Sequence, residues 1–426
     1  MHLPARFVVA VSLVLLPATA SAYETKKTPG GKALHWAAGE IELAAAATPA
    51  PATVSGAVLE QAARVAAATW QATLAEVPVG VHAVAGGAGV PHDGQDGVNQ
   101  VRWAVAAADP DVEDGQLART FIAYRTADGQ ILDADVVLNA VDFTWTTDPA
   151  RCGDQYDVES ALTHELGHLL GLAHSIGHPD ATMFATADAC ETAKRDLTGD
   201  DRAGIDELYR TPPAEAAGCA AGGGDGGLVG AALVLIALAA AATRRQRRRA
   251  AAAVTALAAT LTMLAAATPA EASALRRLPL ARLGARAALV ARGRVVAVTA
   301  AADDAFATDT TIVVGECLAG ACGQTLTVRT LGGEQGGVGL WVDGEASLPV
   351  GAEVVVYLRR DRARHLRVLG GVQGAFLVVE ASGAIVAVRD LRAHVVLDAA
   401  APASVPAPGA LETFDLDDLR RSTTRR

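Results

Sequence analysis

Between Val54 and Glu76 the apolar residues Val58, Ala62, Val65, Ala66, Trp70 and Leu74 recur at spacings of three and four. That period places them on one face of a helix, and Pro78 follows its end. Ser160–Leu172 predicts a second helix. Asp200–Tyr209 predicts a third, Asp-capped, with Ile205 and Leu208 turned inward. Weak alternation from Leu34 to Leu43 predicts a first strand, and Val98–Val105 and Phe121–Thr126 predict two more. Asp128-Gly129 then reads as a hairpin turn into Ile131–Leu138. This half is mixed α+β. Between about residues 286 and 397 the pattern changes to short β-branched runs separated by glycine and charge. The runs are Ala288–Val298, Thr310–Val314, Thr325–Thr330, Gly339–Val342, Glu353–Leu358 and Phe376–Val379. Regular short strands of this kind predict a small all-β sandwich or barrel.

Two apolar tracts fit neither pattern. Residues 1–22 have a basic start at Arg6, an apolar run from Phe7 to Leu16 and a small-residue Ala20-Ser21-Ala22 cleavage site, the plan of an export signal. Residues 216–227 form a glycine-rich linker. The uncharged stretch 228–243, the arginine run 244–249 and the second apolar segment 250–272 follow. Each stretch falls slightly short of the roughly 20 residues that span a bilayer. If both insert, the arginines stay cytoplasmic. The expected domains are therefore 23–215, a β-rich domain at 273–400 and a tail at 401–426, with a membrane contact through residues 228–267. Gly218-Cys219, the glycine spacer, the apolar helix and the arginines also resemble a myxobacterial C-terminal sorting tag. Residues 244–272, ending in Ala270-Glu271-Ala272, resemble a second export signal.

Composition refines this picture. The chain has 426 residues, 51% of them hydrophobic, but many are alanines that bury little area. Net charge is −11, and Tyr23–Gly218 holds 29 acidic against 12 basic residues. That balance excludes general nucleic-acid binding. Five cysteines are too few to hold so long a chain together by disulfides alone.

The most specific chemical signal is Thr163-His164-Glu165-Leu166-Gly167-His168-Leu169-Leu170-Gly171-Leu172-Ala173-His174. Histidines four apart share a helix face and can hold one Zn2+, with Glu165 beside them to reach a metal-bound water. Gly171 lets the chain leave the helix through a left-handed turn, which returns His174 as a third ligand. Three imidazoles leave a fourth position open, as catalytic sites do.

The motif resembles that of the metzincin metalloproteases. Ser175 points to the matrixin branch, and Asp180-Ala181-Thr182-Met183 resembles the family's methionine turn. Leu197–Tyr209 resembles the closing helix of secreted bacterial matrixin-like proteins. The likeness covers residues 30–212. It implies a twisted, mostly parallel sheet with an antiparallel edge strand, and an exported zinc endopeptidase acting on protein or peptide substrates. Glu165 would be the general base, His164, His168 and His174 the ligands, and Gly171 and Met183 structural supports. An edge strand would take substrate as an added strand, and Ile131–Leu138 is the candidate.

Cys152 and Cys190 flank the active-site helix and the methionine turn, and a bridge would restrain both; the alternative is two thiols. Cys317 and Cys322 could close a small loop. Structural Ca2+ could use Asp133, Asp135, Asp200 and Asp201, although a solvated acidic surface is preferred. Isolated surface histidines are likewise preferred to a second zinc at His35, His82, His92 and His178. The competing function is a cell-surface binding or adhesion protein with a structural zinc. The expected location is exported: periplasmic, cell-surface or extracellular.

Overall fold

The computed structural model describes residues 23–210 and 275–423, apart from breaks at 76–78, 93, 107–108, 114, 176–177, 185–186, 305, 382–383, 392–394, 398–406 and 409–410. The export signal at 1–22, the linker and both apolar tracts with their arginine run lie outside the described residues. Among the described residues, no helix is long and apolar enough to cross a membrane.

The first half is α+β. Strands β1 (Gly39–Thr48), β2 (Val79–Ala88), β3 (Gln100–Ala104) and β5 (Ile131–Asn139) run parallel in the order β5-β3-β1-β2. Strand β4 (Ala118–Arg125) pairs antiparallel with β5. Helices α1 (Gly56–Leu74), α2 (Val158–Leu169) and α3 (Gly199–Tyr209) complete the unit. The central strands are buried almost throughout, as expected of a parallel sheet covered by helices. The periodic face of α1 buries Ala62, Ala66, Trp70 and Leu74 in one core with Leu43, Trp103, Leu162 and Leu166. The Trp70 indole donates 2.7 Å to the Thr163 carbonyl and ties α1 to the active-site helix.

Two expectations need correction. The first strand begins at Gly39, not Leu34. Residues 33 and 35 form only isolated bridges, and Gly39 at φ +143° separates them from the strand. Ile131–Leu138 is not an edge: β5 lies between β4 and β3. The outer strands of the five are β2 and β4, and β4 is the one beside the active-site helix.

The second half contains β6 (Leu289–Ala300), β7 (Ala307–Ala319), β8 (Thr325–Leu331), β9 (Gly333–Gln335), β10 (Val338–Val342), β11 (Glu353–Arg360), β12 (Ala375–Ala381), β13 (Ala384–Asp390) and β14 (Leu411–Asp415). Strands β8-β7-β6-β11 are consecutive neighbours, and Leu366–Val368 pairs with both β11 and β8, closing a small barrel. Alternate residues Leu289, Ala291, Val354, Val356 and Leu358 fill one core. The opposite face, with Val290, Val355 and Tyr357, packs under α4 (Leu280–Arg286) and α5 (Leu416–Thr423). This half is therefore β-rich rather than all-β. The ordered unit also runs past residue 400, because β14 pairs with β13.

Nor do the two halves keep separate sheets. Between β8 and β11 the hairpin β9–β10 leaves the barrel, and β10 pairs antiparallel with β4, from Val338 opposite Arg125 to Val342 opposite Phe121. Buried Arg119 secures the exit from this strand. Its Nε donates 3.1 Å to the Asp343 carbonyl, and its guanidinium pairs with Glu345 at 2.8 Å.

Candidate active site

Helix α2 starts at Asp157, whose carboxylate accepts 2.8 Å from the Ser160 N–H and pairs with Arg195. One turn apart, His164 and His168 share a face. The helix closes when the Gly171 N–H donates to the His168 carbonyl and the Leu172 N–H to that of Gly167, both at 2.9 Å. Gly171 has φ +96°, and a Cβ there would lie 2.3 Å from the Leu34 carbonyl oxygen. Glycine is thus required for both conformation and space. The reversal brings the His174 Nε2 to 3.1 Å from that of His164 and 2.9 Å from that of His168.

The His164 Nδ1 donates 2.7 Å to the Thr182 carbonyl, and the His168 Nδ1 donates 2.9 Å to that of Leu172. With the protons fixed there, the Nε2 atoms of these two rings present lone pairs to the shared centre, and a cation there relieves their repulsion. The spacings lie within a few tenths of an ångström of the about 3.3 Å expected between nitrogens around a tetrahedral zinc. Burial and then the Lys194 charge push His164 down to about 3, and burial and then Lys26 hold His168 well below its ordinary value. Both rings are therefore neutral and ready to ligate. The three histidines form a group able to hold a metal ion.

Glu165 is buried on the same turn and accepts 2.5 Å from the Thr120 hydroxyl of β4. A carboxylate oxygen of Asp343, just after β10, lies within 4.8 Å of a Glu165 carboxylate oxygen and of a His168 ring nitrogen. Burial first, then the Asp343 charge, raises the Glu165 carboxyl, while the Thr120 bond opposes the rise. Two carboxylates so close in a dry site are a further reason for a cation to reside there.

The floor of the site is the turn at Thr182-Met183. The Ser175 N–H donates to the Met183 carbonyl at 2.9 Å. Asp201 accepts from the N–H groups of Thr182 at 3.0 Å and Met183 at 2.9 Å. Buried Lys194 donates to the carbonyls of Ala181 and Thr182, at 3.3 and 3.2 Å, and to that of Phe184. A Cβ on Gly167 would lie 2.1 Å from the Met183 sulfur and 2.8 Å from the Trp70 ring, so the turn reaches the helix only because residue 167 is glycine. Gly167→Val is expected to cost roughly 2–3 kcal/mol through overpacking, read as a lower midpoint in urea unfolding of the metal-free chain; an unchanged midpoint would contradict this packing. Cys152 and Cys190 are bridged with Cα atoms 5.6 Å apart, and Cys317 and Cys322 with Cα atoms 5.8 Å apart.

The remaining candidates lie outside this centre. Asp133 accepts from the Gly97 N–H, and Asp135 from Gln100 and His92. Asp200 accepts from the Ser175 hydroxyl at 2.5 Å and the Tyr23 N–H at 3.0 Å. His82 lies beside Glu40 and Glu42, while His92 stacks on Phe121. Neither these aspartates nor His35, His82, His92 and His178 form a metal-holding group among the described residues. Sequence reading missed Thr120, Lys194 and Asp343. Nothing local marks Thr120 or Lys194, and Asp343-Gly344 reads as an ordinary turn.

Residues 100–210 match the model of the Matrixin family. Metalloendoproteinase 1-MMP of Arabidopsis thaliana is 38% identical over 104 residues, 24% of this chain and 26% of that protein. Metalloendoproteinase 2-MMP of the same plant is 39% identical over 106 residues, 24% and 26% of the two chains, and metalloendoproteinase 4-MMP is 40% identical over 74, 17% and 20%. The chain thus spans about a quarter of the length of these curated relatives or less. These matches support a zinc metalloendopeptidase, and the family match covers β3, β4, β5 and the histidine site.

Proposed function

We propose that this chain is an exported, zinc-dependent endopeptidase of the matrixin type, acting on protein or peptide substrates. The observation that carries the reading is the convergence of three imidazoles, with the His174 Nε2 3.1 and 2.9 Å from those of His164 and His168, beside a buried carboxylate on the same helical turn. His164, His168 and His174 would hold the ion, and Gly171 and Met183 would support their placement. When bound, zinc supplies a Lewis acid that polarises the scissile carbonyl and acidifies a water molecule. Glu165 would take the proton of an attacking water and return it to the departing amine. Its raised affinity for protons suits this exchange, and the Thr120 hydroxyl, donating to one carboxylate oxygen, orients the group. The two disulfides support export, because such bridges persist in oxidising compartments.

The test is digestion of a peptide library by the zinc-loaded chain, in its parent form and in the opened forms described next. A metal chelator should stop cleavage and added zinc restore it. One bound zinc per chain without cleavage in any form would favour the binding-protein alternative, with zinc as a structural element.

A further inference from the structure

The hairpin β9–β10 belongs by chain order to the barrel, yet it lies against the catalytic half. An outer strand such as β4 presents unpaired N–H and C=O groups, the surface on which an extended peptide docks by strand addition. Here that surface is filled. Five consecutive residues of β10 pair with β4, from Val338 to Val342. Strand alternation then sorts the segment. Leu340 and Val342 enter a cluster with Phe121, Ala123 and Val137. Trp341 and Asp343 are directed to the other side, toward α2. The Trp341 ring lies 6.2 Å from that of His168, with the Lys26 Nζ 3.1 Å from the Trp341 ring centroid. Asp343 is fully buried, and its carboxylate joins His168 and Glu165 in a second group with metal-holding geometry.

From these contacts we infer that residues 333–345 are a built-in occupant of the peptide site: β10 takes the substrate's place on β4, and Asp343 caps the metal. The inference rests on reading the three histidines as a zinc site. A carboxylate oxygen is a competent zinc ligand, and that of Asp343 reaches the His168 side of the three-imidazole centre, within 4.8 Å of the His168 ligand atom. The anchoring lies outside the cleft. Arg119 grips the Asp343 carbonyl and Glu345, Arg367 approaches Glu345 at 3.5 Å, and Arg359 pairs with Glu113 at 2.6 Å. The barrel therefore acts as the holder and the hairpin as the plug. The chemical class recognised at the site is an extended peptide with a metal-binding carboxylate, and the chain carries its own copy of that ligand.

Two substitutions open the plug without touching the histidines or Glu165. Asp343→Asn removes the metal-directed charge while keeping the side-chain shape. Gly339→Val places a side chain where a Cβ would lie 2.3 Å from the Tyr124 ring and so weakens docking on β4. The probe is a short peptide hydroxamate, titrated by calorimetry into the zinc-loaded full chain. Each variant should bind it at least about tenfold more tightly than the parent, because only the opened fraction of the parent is competent. With cobalt in place of zinc, the visible spectrum of Asp343→Asn should shift as an oxygen ligand is lost.

In the parent, saturating probe should speed deuterium exchange at Val338–Val342, a readout that needs no variant to fold. Equal probe affinity in parent and variants, with unchanged cobalt spectra and exchange, overturns the inference even if every form cleaves peptides. Tighter probe binding in variants that cleave nothing upholds the inference and removes the peptidase reading. Failure of all forms to bind zinc removes both.

Discussion

Glu165→Gln, tested in the Gly339→Val background that exposes the site, should retain one zinc per chain while kcat falls by about 10²–10⁴-fold, the usual contribution of a positioned general base. The amide keeps the volume of the carboxyl and can still accept the Thr120 hydrogen bond. The loss is therefore that of a proton acceptor, not of architecture. A second readout separates the two. In the metal-free parent, burial and Asp343 raise the folded-state Glu165 carboxyl above its unfolded value. Its contribution to stability is then present below the unfolded value and lost as pH rises through the raised one. Glu165→Gln should flatten that decline, with a melting temperature no lower than the parent's at neutral pH. Cleavage at parental rates would sink the assigned role. A collapse in melting temperature would mean that Glu165 holds the fold instead.

Gly171→Val should lower zinc affinity by about 10–100-fold, the range for changes that displace a ligand through its supports. The left-handed conformation, φ +96°, disfavours a β-branched residue. Independently, the Leu34 carbonyl oxygen blocks the added Cβ at 2.3 Å. Relief of either strain moves the reversal that carries His174. Gly171→Asn separates the causes, since asparagine tolerates this backbone region but brings the same Cβ. Near-equal losses in the two variants, measured by competition with a chromogenic chelator, would show that the contact dominates. Parental affinity in both would exclude the turn as the device that presents His174.

Much of the site was legible because it is local. His164, Glu165, Gly171 and His174 lie within one helix and its reversal, so spacing alone states their geometry. Helix α1 was legible for the same reason. Strand β2 was not, because Val79–Ala88 is largely alanine and glycine and carries little side-chain pattern. The edge was misplaced because alternation predicts that a segment is extended, not which neighbour it pairs with. Gly339–Val342 illustrates this directly: its strand character was readable, but its partner is β4, far away along the chain. Asp343 was invisible for the same reason, since it reaches Glu165 only through that pairing.

The anchoring by Arg119 and Arg359 also bears on processing. The contacts that seat β10 on β4 and Arg119 on Glu345 join residues that precede 211 to residues that follow 274. A cut within 211–274 would therefore not by itself release the site. It would convert an internal equilibrium into a reversible two-chain association, governed by mass action. Activity per molecule would then rise on dilution and fall again when the fragments are concentrated, so the cut sample would report its own concentration.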